Sequence, residues 1–246
     1  MLIEIKDNSN IIFQVDSYAG RLGNQIGYIA RALFISKIYK VNSIILPETC
    51  LTKKLEIILN KSNVDKKILT IKKKGIYDLD KLYKNLDKNY SNIKYDRKLI
   101  KDCFQELFVP HLKYNLYDEK ITENIFLHIR SGDKISNLPP LNFFTRSIDN
   151  EKNKKIHVVS EDFNNKIYRD LKEKYGERLI FQSKSLIEDL KTLLKAETLI
   201  TCHSTFTSNA VYYLSRNIKK MYLIRSHYEK YKEFDSEKCG INMILL

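Results

Sequence analysis

Short apolar runs alternate with amphipathic helical patterns along almost all of this 246-residue chain, and that alternation limits the architectures open to it. Apolar runs over 11–16, 43–46, 68–72, 125–129, 156–159, 179–181, 198–201 and 221–224 predict strands. Helical periodicity predicts helices over 24–40, 50–61, 78–88, 96–107, 141–150, 163–175, 186–195 and 205–215. Strands separated by helices cannot form hairpins, so the pattern predicts an α/β protein with parallel sheets. The stretch from about 89 to 124 is polar and helix-leaning, and Ile125-Phe126-Leu127-His128-Ile129 then opens a second alternating series. The expected division is two Rossmann-like halves, 1–118 and 119–246, joined near 115–122; a single doubly wound sheet is the alternative. In either case ligands bind beyond the carboxyl ends of strands.

The chain holds 43 Lys and Arg against 30 Asp and Glu, a net charge of +13, which asks for an anionic partner or surface. No nucleic-acid motif or aromatic–basic array accompanies the charge, so no nucleic-acid partner is expected. Lysine-rich segments such as Lys72-Lys73-Lys74 read as solvated helix faces. Two explanations of the charge stand: peripheral attachment to acidic headgroups on the inner face of a membrane, or a lysine-rich composition. The apolar runs fall far short of a span and the first residues lack a signal-peptide layout, so a cytoplasmic location is expected. Cys50, Cys103, Cys202 and Cys239 are scattered without a Cys-x-x-Cys pair, which predicts free thiols rather than zinc or disulfides.

Three of the seven glycines crowd into Gly20-Arg21-Leu22-Gly23-Asn24-Gln25-Ile26-Gly27, between a strand pattern and a long helical one. A glycine-poor chain that gathers glycine at one strand-to-helix turn needs a sharp bend or a close approach there. The spacing is neither that of a dinucleotide fingerprint nor that of a P-loop. Three further strand ends carry polar clusters. Leu127-His128-Ile129-Arg130-Ser131-Gly132-Asp133 ends one strand, with His128 and Arg130 on one face by period-two alternation. A guanidinium there offers a planar fork to phosphate oxygens, or an ion pair to Asp133. Val158-Val159-Ser160-Glu161-Asp162 ends a second strand, with acceptors for a base or ribose hydroxyl that also suit helix capping. Thr201-Cys202-His203-Ser204-Thr205-Phe206-Thr207 ends a third, where hydroxyls and open N–H groups suit either a diphosphate or a plain cap. Asp78-Leu79-Asp80 has the letters of a metal-binding Asp-x-Asp, yet it opens the helical pattern Leu79, Leu82, Tyr83, Leu86.

Gly20-Arg21-Leu22-Gly23-Asn24-Gln25 resembles the N-terminal Gly-x-Leu/Phe-Gly-Asn-Gln loop of the fucosyltransferase superfamily. His128-Ile129-Arg130-Ser131-Gly132-Asp133 resembles the His-x-Arg-Arg-Gly-Asp motif of alpha-1,2-fucosyltransferases. Ser160-Glu161-Asp162 is similar to their Ser-Asp-Asp segment, Ser204-Thr205-Phe206-Thr207 to their Asn-Ser-Thr-Phe-Ser segment, and Cys103-Phe104-Gln105 to their Gly-Tyr-Phe-Gln. The order agrees over about 18–215. Ser131 stands at the second arginine of the motif, where protein O-fucosyltransferases also keep only the first. Gly27-Tyr28 stands for the usual Phe-Gln, and Ser208-Asn209 for tandem tryptophans.

The resemblance implies a GT-B fold, two Rossmann-like domains facing a cleft, and inverting, metal-free transfer of fucose from GDP-fucose with no further cofactor. It implies that Arg130 holds the donor pyrophosphate and that His128 and Asp162 lie near the guanosine. By the same likeness Ser204, Thr205 and Thr207, with Phe206 among them, reach the phosphates, while Asn24 lies beside the reacting centre; the Gly23–Asn24 backbone offers further donors to the diphosphate. Asp133 is the nearest candidate base in sequence, or caps the turn after Gly132. The implied acceptor is a hydroxyl of a lipid-linked glycan belonging to a surface polysaccharide, joined by an alpha-1,2 bond. Another GDP-sugar, or a nonenzymatic basic adaptor for membranes or nucleic acid, are the competing expectations.

Overall fold

The computed structural model describes residues 9–18, 20–61, 65–71, 96–117, 122–130, 138–162, 164–202, 204–225 and 239–246. They belong to two compact units, Met1–Tyr114 and Asn115–Leu246. Both are α/β; the second sheet is parallel throughout, and the first is parallel except for one antiparallel edge strand. The helix expected over 78–88, with Asp78 and Asp80, lies outside the described residues.

In the first unit β1 (Ile11–Val15) is a near-continuous apolar run, as a strand buried on both faces requires. It pairs in parallel with β2 (Ser43–Leu46) on one side and β4 (Lys67–Ile71) on the other. Helix α1 (Leu22–Ile38) makes the crossover from β1 to β2, burying Ile26, Ile29, Ala30 and Leu33. It packs against α2 (Arg97–Leu107), whose buried Ile100, Cys103 and Phe104 recur at helical spacing. The Asp96 carboxylate caps α2 by accepting the N–H groups of Lys98 and Leu99 at 2.8 and 3.0 Å.

The helix expected over 50–61 is not formed. That stretch carries β3 (Leu55–Ile58), antiparallel to β2, with Ile44 opposite Ile57 and Ser43 opposite Ile58. Leu51, Leu55 and Ile58 have helical spacing, but hydrogen bonding at both ends turns the chain back onto the sheet. The Thr49 hydroxyl accepts the N–H groups of Leu51 and Thr52 at 3.0 Å each. Beyond the strand, the Asn42 side chain donates to the Asn60 carbonyl at 2.7 Å and the Asn60 side chain to the Val41 carbonyl at 3.1 Å. The strand between these clips is four residues long, and β-branched Ile57-Ile58 suit it.

The second unit has six strands in the order β10-β9-β8-β5-β6-β7, every neighbouring pair parallel. These are β5 (Thr122–His128), β6 (Ile156–Val159), β7 (Leu179–Gln182), β8 (Ala196–Thr201), β9 (Lys220–Leu223) and β10 (Asn242–Leu245). The C-terminal β10 was not expected from the sequence. Helices α3 (Leu141–Asp149) and α4 (Lys166–Tyr175) place Phe143, Phe144, Ile148 and Leu171 on the sheet face formed by Ile125, Leu127, Ile156 and Val158. Helix α5 (Leu186–Leu194) packs on β6 and β8 and buries Leu190, Leu193 and Leu194 outside that cluster. A capping box between Ser185 and Glu188 starts it.

Just past α3, Glu151 is 5% exposed and ties the helix to the sheet. Its carboxylate accepts from Lys220 at 2.6 Å, Tyr222 at 2.9 Å and Lys154 at 3.0 Å. Burial opposes the charge, but these donors outweigh it and hold the carboxyl below its ordinary value. Among the described residues no helix is long and apolar enough to cross a membrane.

The strand at 55–58 has a direct energetic signature. Ile57 is 5% exposed and Ile58 is 63% exposed. Ile57→Ala is expected to cost about 2–5 kcal/mol, and Ile58→Ala about 0.5 kcal/mol or less, by chemical denaturation.

Candidate functional site

Counted from β5, the second sheet runs 3-2-1-4-5-6, because the chain leaves β5 for β6 and β7 and then returns to β8 on the other side of β5. Where the winding reverses, the crossovers leave in opposite directions and open a crevice at the carboxyl ends of the two central strands. His128 and Thr201 are the last residues of those strands and pair across them. The backbone therefore delivers 128–130 and 201–207 to one place, though 74 residues separate His128 from Cys202.

Leu127 and Ile129 face the hydrophobic cluster under α3 and α4, and alternation turns His128 the other way. The imidazole is 9% exposed, and its ring centre lies 5.5 Å from that of Phe206. Its Nδ1 is 3.5 Å from Cys202 Sγ, and the Arg130 backbone N–H donates to the same sulfur. Burial pushes the thiol up to about 12, so it keeps its proton at neutral pH. The sulfur thus bridges the Arg130 amide and the imidazole Nδ1, and the direction of the second bond follows the tautomer of the ring. Burial, reinforced by the Arg130 charge, lowers His128 to about 4. The ring is neutral at physiological pH.

After β8 the chain enters a π-helical turn, Phe206–Val211, which runs directly into α6 (Tyr212–Leu214). Such widened turns recur at functional sites. Thr207 is fully buried; its hydroxyl contacts that of Thr201 and donates to the Ser204 carbonyl at 3.1 Å. Ser204 Oγ accepts the Phe206 N–H at 3.2 Å, which leaves its own proton to donate elsewhere. Thr205 is exposed. The expected hydroxyl cluster thus divides: Thr207 and Thr201 hold the turn, Ser204 is buried beside them, and Thr205 is exposed.

At the end of β6, Asp162 Oδ1 accepts the Asn164 N–H at 2.7 Å, and the buried Ser160 hydroxyl lies 3.5 Å from the Asp162 N–H. Asn165, not Asp162, caps α4, accepting the Ile167 N–H at 2.9 Å. Asp133 lies outside the described residues. The charged part of the site is therefore Arg130, with Asp162 at the next strand end.

Gly23 and Asn24 belong to the first unit, in the first turn of α1, with Gly23 buried and Asn24 exposed. That turn follows β1, which again has parallel neighbours on both sides, so it also stands at a reversal. Gly20 has a φ of +78°, and a Cβ there would meet Asn24 Nδ2 at 2.4 Å. The glycine lets the asparagine amide fold back onto the turn, and the Gln25 side chain donates to the Gly20 carbonyl at 3.0 Å. Among the described residues no group of three or more His, Cys, Asp or Glu is placed to hold a metal ion.

Cys202 and Thr201 received no site role from the sequence. Nothing local signals that a buried cysteine links a histidine and an arginine from another strand. Comparison of the chain with protein-family models, curated proteins and solved structures returns no match.

His128 generates a pH dependence. Its folded-state value of about 4 lies below the ordinary 6.5, so between these values the unfolded chain binds the extra proton. Stability is full above about pH 6.5 and falls by about 3 kcal/mol as the pH drops towards 4. His157 is lowered too, by burial and then by Lys195, and adds to the same slope. Denaturation at pH 7 and pH 4.5 is expected to show a smaller loss for His128→Gln than for the natural chain; equal losses would refute the assignment.

Proposed function

We propose that the chain is an inverting, metal-independent glycosyltransferase of GT-B type, moving fucose from GDP-fucose onto a hydroxyl of a glycan acceptor. The observation that carries this reading is the reversal of winding in the second sheet, which gathers His128, Arg130, Ser204 and Phe206 at one crevice. These are the segments whose sequence resembles the donor-binding motifs of fucosyltransferases. The chemistry of each group suits a guanosine diphosphate.

When the bond between sugar and phosphate breaks, negative charge grows on the departing diphosphate, and fixed donors there lower the barrier. In this reading the Arg130 guanidinium is the main donor, joined by the hydroxyls of Ser204 and Thr205. Neutral His128 offers its second ring nitrogen to the nucleoside without adding charge, and Phe206 gives that ring its wall. Asp162, with one oxygen engaged in its own turn, has a second for a purine N–H or a ribose hydroxyl. Gly23 and Asn24 are assigned to the acceptor side, in the first unit. The net charge of +13 fits work beside an acidic membrane that holds a lipid-linked glycan. Attachment of that kind weakens as salt rises, because surface charge is screened.

Calorimetric titration with GDP is expected to give saturable binding, and its absence at millimolar GDP would leave a basic adaptor as the better account. Mass spectrometry after incubation with GDP-fucose, GDP-mannose and UDP-sugars is expected to show turnover of GDP-fucose, undiminished in EDTA. Arg130→Ala is expected to lose about 3–4 kcal/mol of transition-state stabilisation, as loss of an oxyanion donor does. A loss below about tenfold in turnover, with the fold intact, would remove Arg130 from this role.

A further inference from the structure

Positive charge and exposed apolar surface are both concentrated in the first unit. It holds 21 Lys and Arg against 12 Asp and Glu, and so carries nine of the thirteen surplus charges. It also holds Ile58 and Ile68, at 63% and 55% the most exposed large apolar side chains among the described residues. Strand pairing sets these two in one row across the sheet, with Ile58 opposite Ser43, Ser43 opposite Ile12, and Ile12 opposite Ile68. Directly paired residues point to the same face, so both isoleucines project from one face, one on each edge strand.

Four lysines border that row at the amino-terminal end of the parallel strands. Lys61 follows β3, Lys66 and Lys67 lead into β4, and Lys40 lies between α1 and β2. Backbone bonds hold these stretches side by side: the Asn60 N–H donates to the Asn42 carbonyl at 3.0 Å, the Asn42 N–H to the Ile11 carbonyl at 2.8 Å, and the Lys67 N–H to the Asn10 carbonyl at 2.8 Å. All four lysines are exposed, and they make no ion pair among the described residues. Lys37, Lys98 and Lys113 are by contrast paired with Glu106, Asp102 and Glu48. Of the acids nearby, Asp65 is exposed, and Glu56 already accepts from the Ser43 hydroxyl at 2.5 Å. Lys40 has a φ of +50°, a left-handed conformation at a helix end that favours glycine, so a lysine there costs the fold stability.

Scattered exposed lysines are ordinary. Here they coincide with two exposed isoleucines and with a lysine held where the backbone disfavours it. Cations beside apolar side chains match a bilayer, whose anionic headgroups overlie acyl chains. A nucleic-acid backbone would match the lysines and leave the isoleucines without a partner. We propose that this end of the first sheet docks on anionic lipid, with Lys40, Lys61, Lys66 and Lys67 at the headgroups and Ile58 and Ile68 in the boundary beneath them. The surface lies within one unit, at the end of β1 opposite the Gly20–Asn24 turn, and does not depend on the glycosyltransferase reading.

The test is co-sedimentation of the full chain with vesicles of phosphatidylcholine, alone or mixed with phosphatidylglycerol. Binding is expected only to the mixed vesicles, and to weaken as salt rises. Lys66→Ala combined with Lys67→Ala is expected to weaken it about twentyfold, at about fivefold for each lysine near an anionic surface. Lys53→Ala combined with Lys54→Ala removes equal charge from exposed positions at the far end of β3, beyond the screening length, and is expected to change binding by about twofold or less. Ile58→Thr is expected to weaken binding about fivefold, with the melting temperature within about 2 °C of the natural chain. Lys40→Gly is expected to weaken it about fivefold while keeping or raising the melting temperature, which separates docking from folding. No binding to the mixed vesicles, or equal losses from the two lysine pairs, overturns the proposal. So does a chain that ignores the vesicles and binds a duplex oligonucleotide through Lys66 and Lys67. A chain that docks on the vesicles but binds no GDP keeps this surface and overturns the glycosyltransferase reading instead.

Discussion

Parallel pairing of β5 with β8 is the constraint on which the second unit turns. Parallel neighbours cannot be joined by a tight turn, so every link between them is a crossover laid on one face of the sheet. The chain winds outward through β6 and β7, then returns to pair β8 with the opposite side of β5. The carboxyl ends of these two strands are consequently the place that neither half of the winding covers. His128, Arg130, Cys202 and Ser204 stand there because backbone pairing carries them there. Cys202 then sets the finer arrangement, with its sulfur shared between the Arg130 amide and the His128 ring.

Much of this fold was legible in the chain because the period of its apolar residues changes cleanly between strands and helices. Leu127 and Ile129 against His128 is a case in which alternation alone gave the correct facing. The misreading at 50–61 has a definite cause. Leu51, Leu55 and Ile58 mimic one helical face, whereas the deciding bonds come from Thr49, Asn42 and Asn60, whose effect depends on a neighbouring strand. β10 escaped notice because its Asn242-Met243-Ile244-Leu245 is too short for a period, and its place is fixed by parallel pairing to β9.

The candidate site was legible as a set of strand ends, less so as a set of contacts. Hydroxyls at 201, 204, 205 and 207 look alike in sequence, yet the structure buries three of them in the turn and exposes the residue at 205. The π-helical register that follows leaves no trace in hydrophobic spacing, because Ala210, Val211 and Leu214 satisfy an α pattern equally well. The contact of Cys202 with His128 is long-range and has no local signature.

Gly20 and Asn24 carry a consequence for how this chain can vary. A methyl group at 20 would strike the amide that folds over it, and the positive φ there resists any side chain. The two positions are bound together: an exchange at 20 displaces the group at 24 even where the asparagine itself is retained. Substitutions at this pair should therefore combine non-additively, and lineages that drift at one should drift at the other.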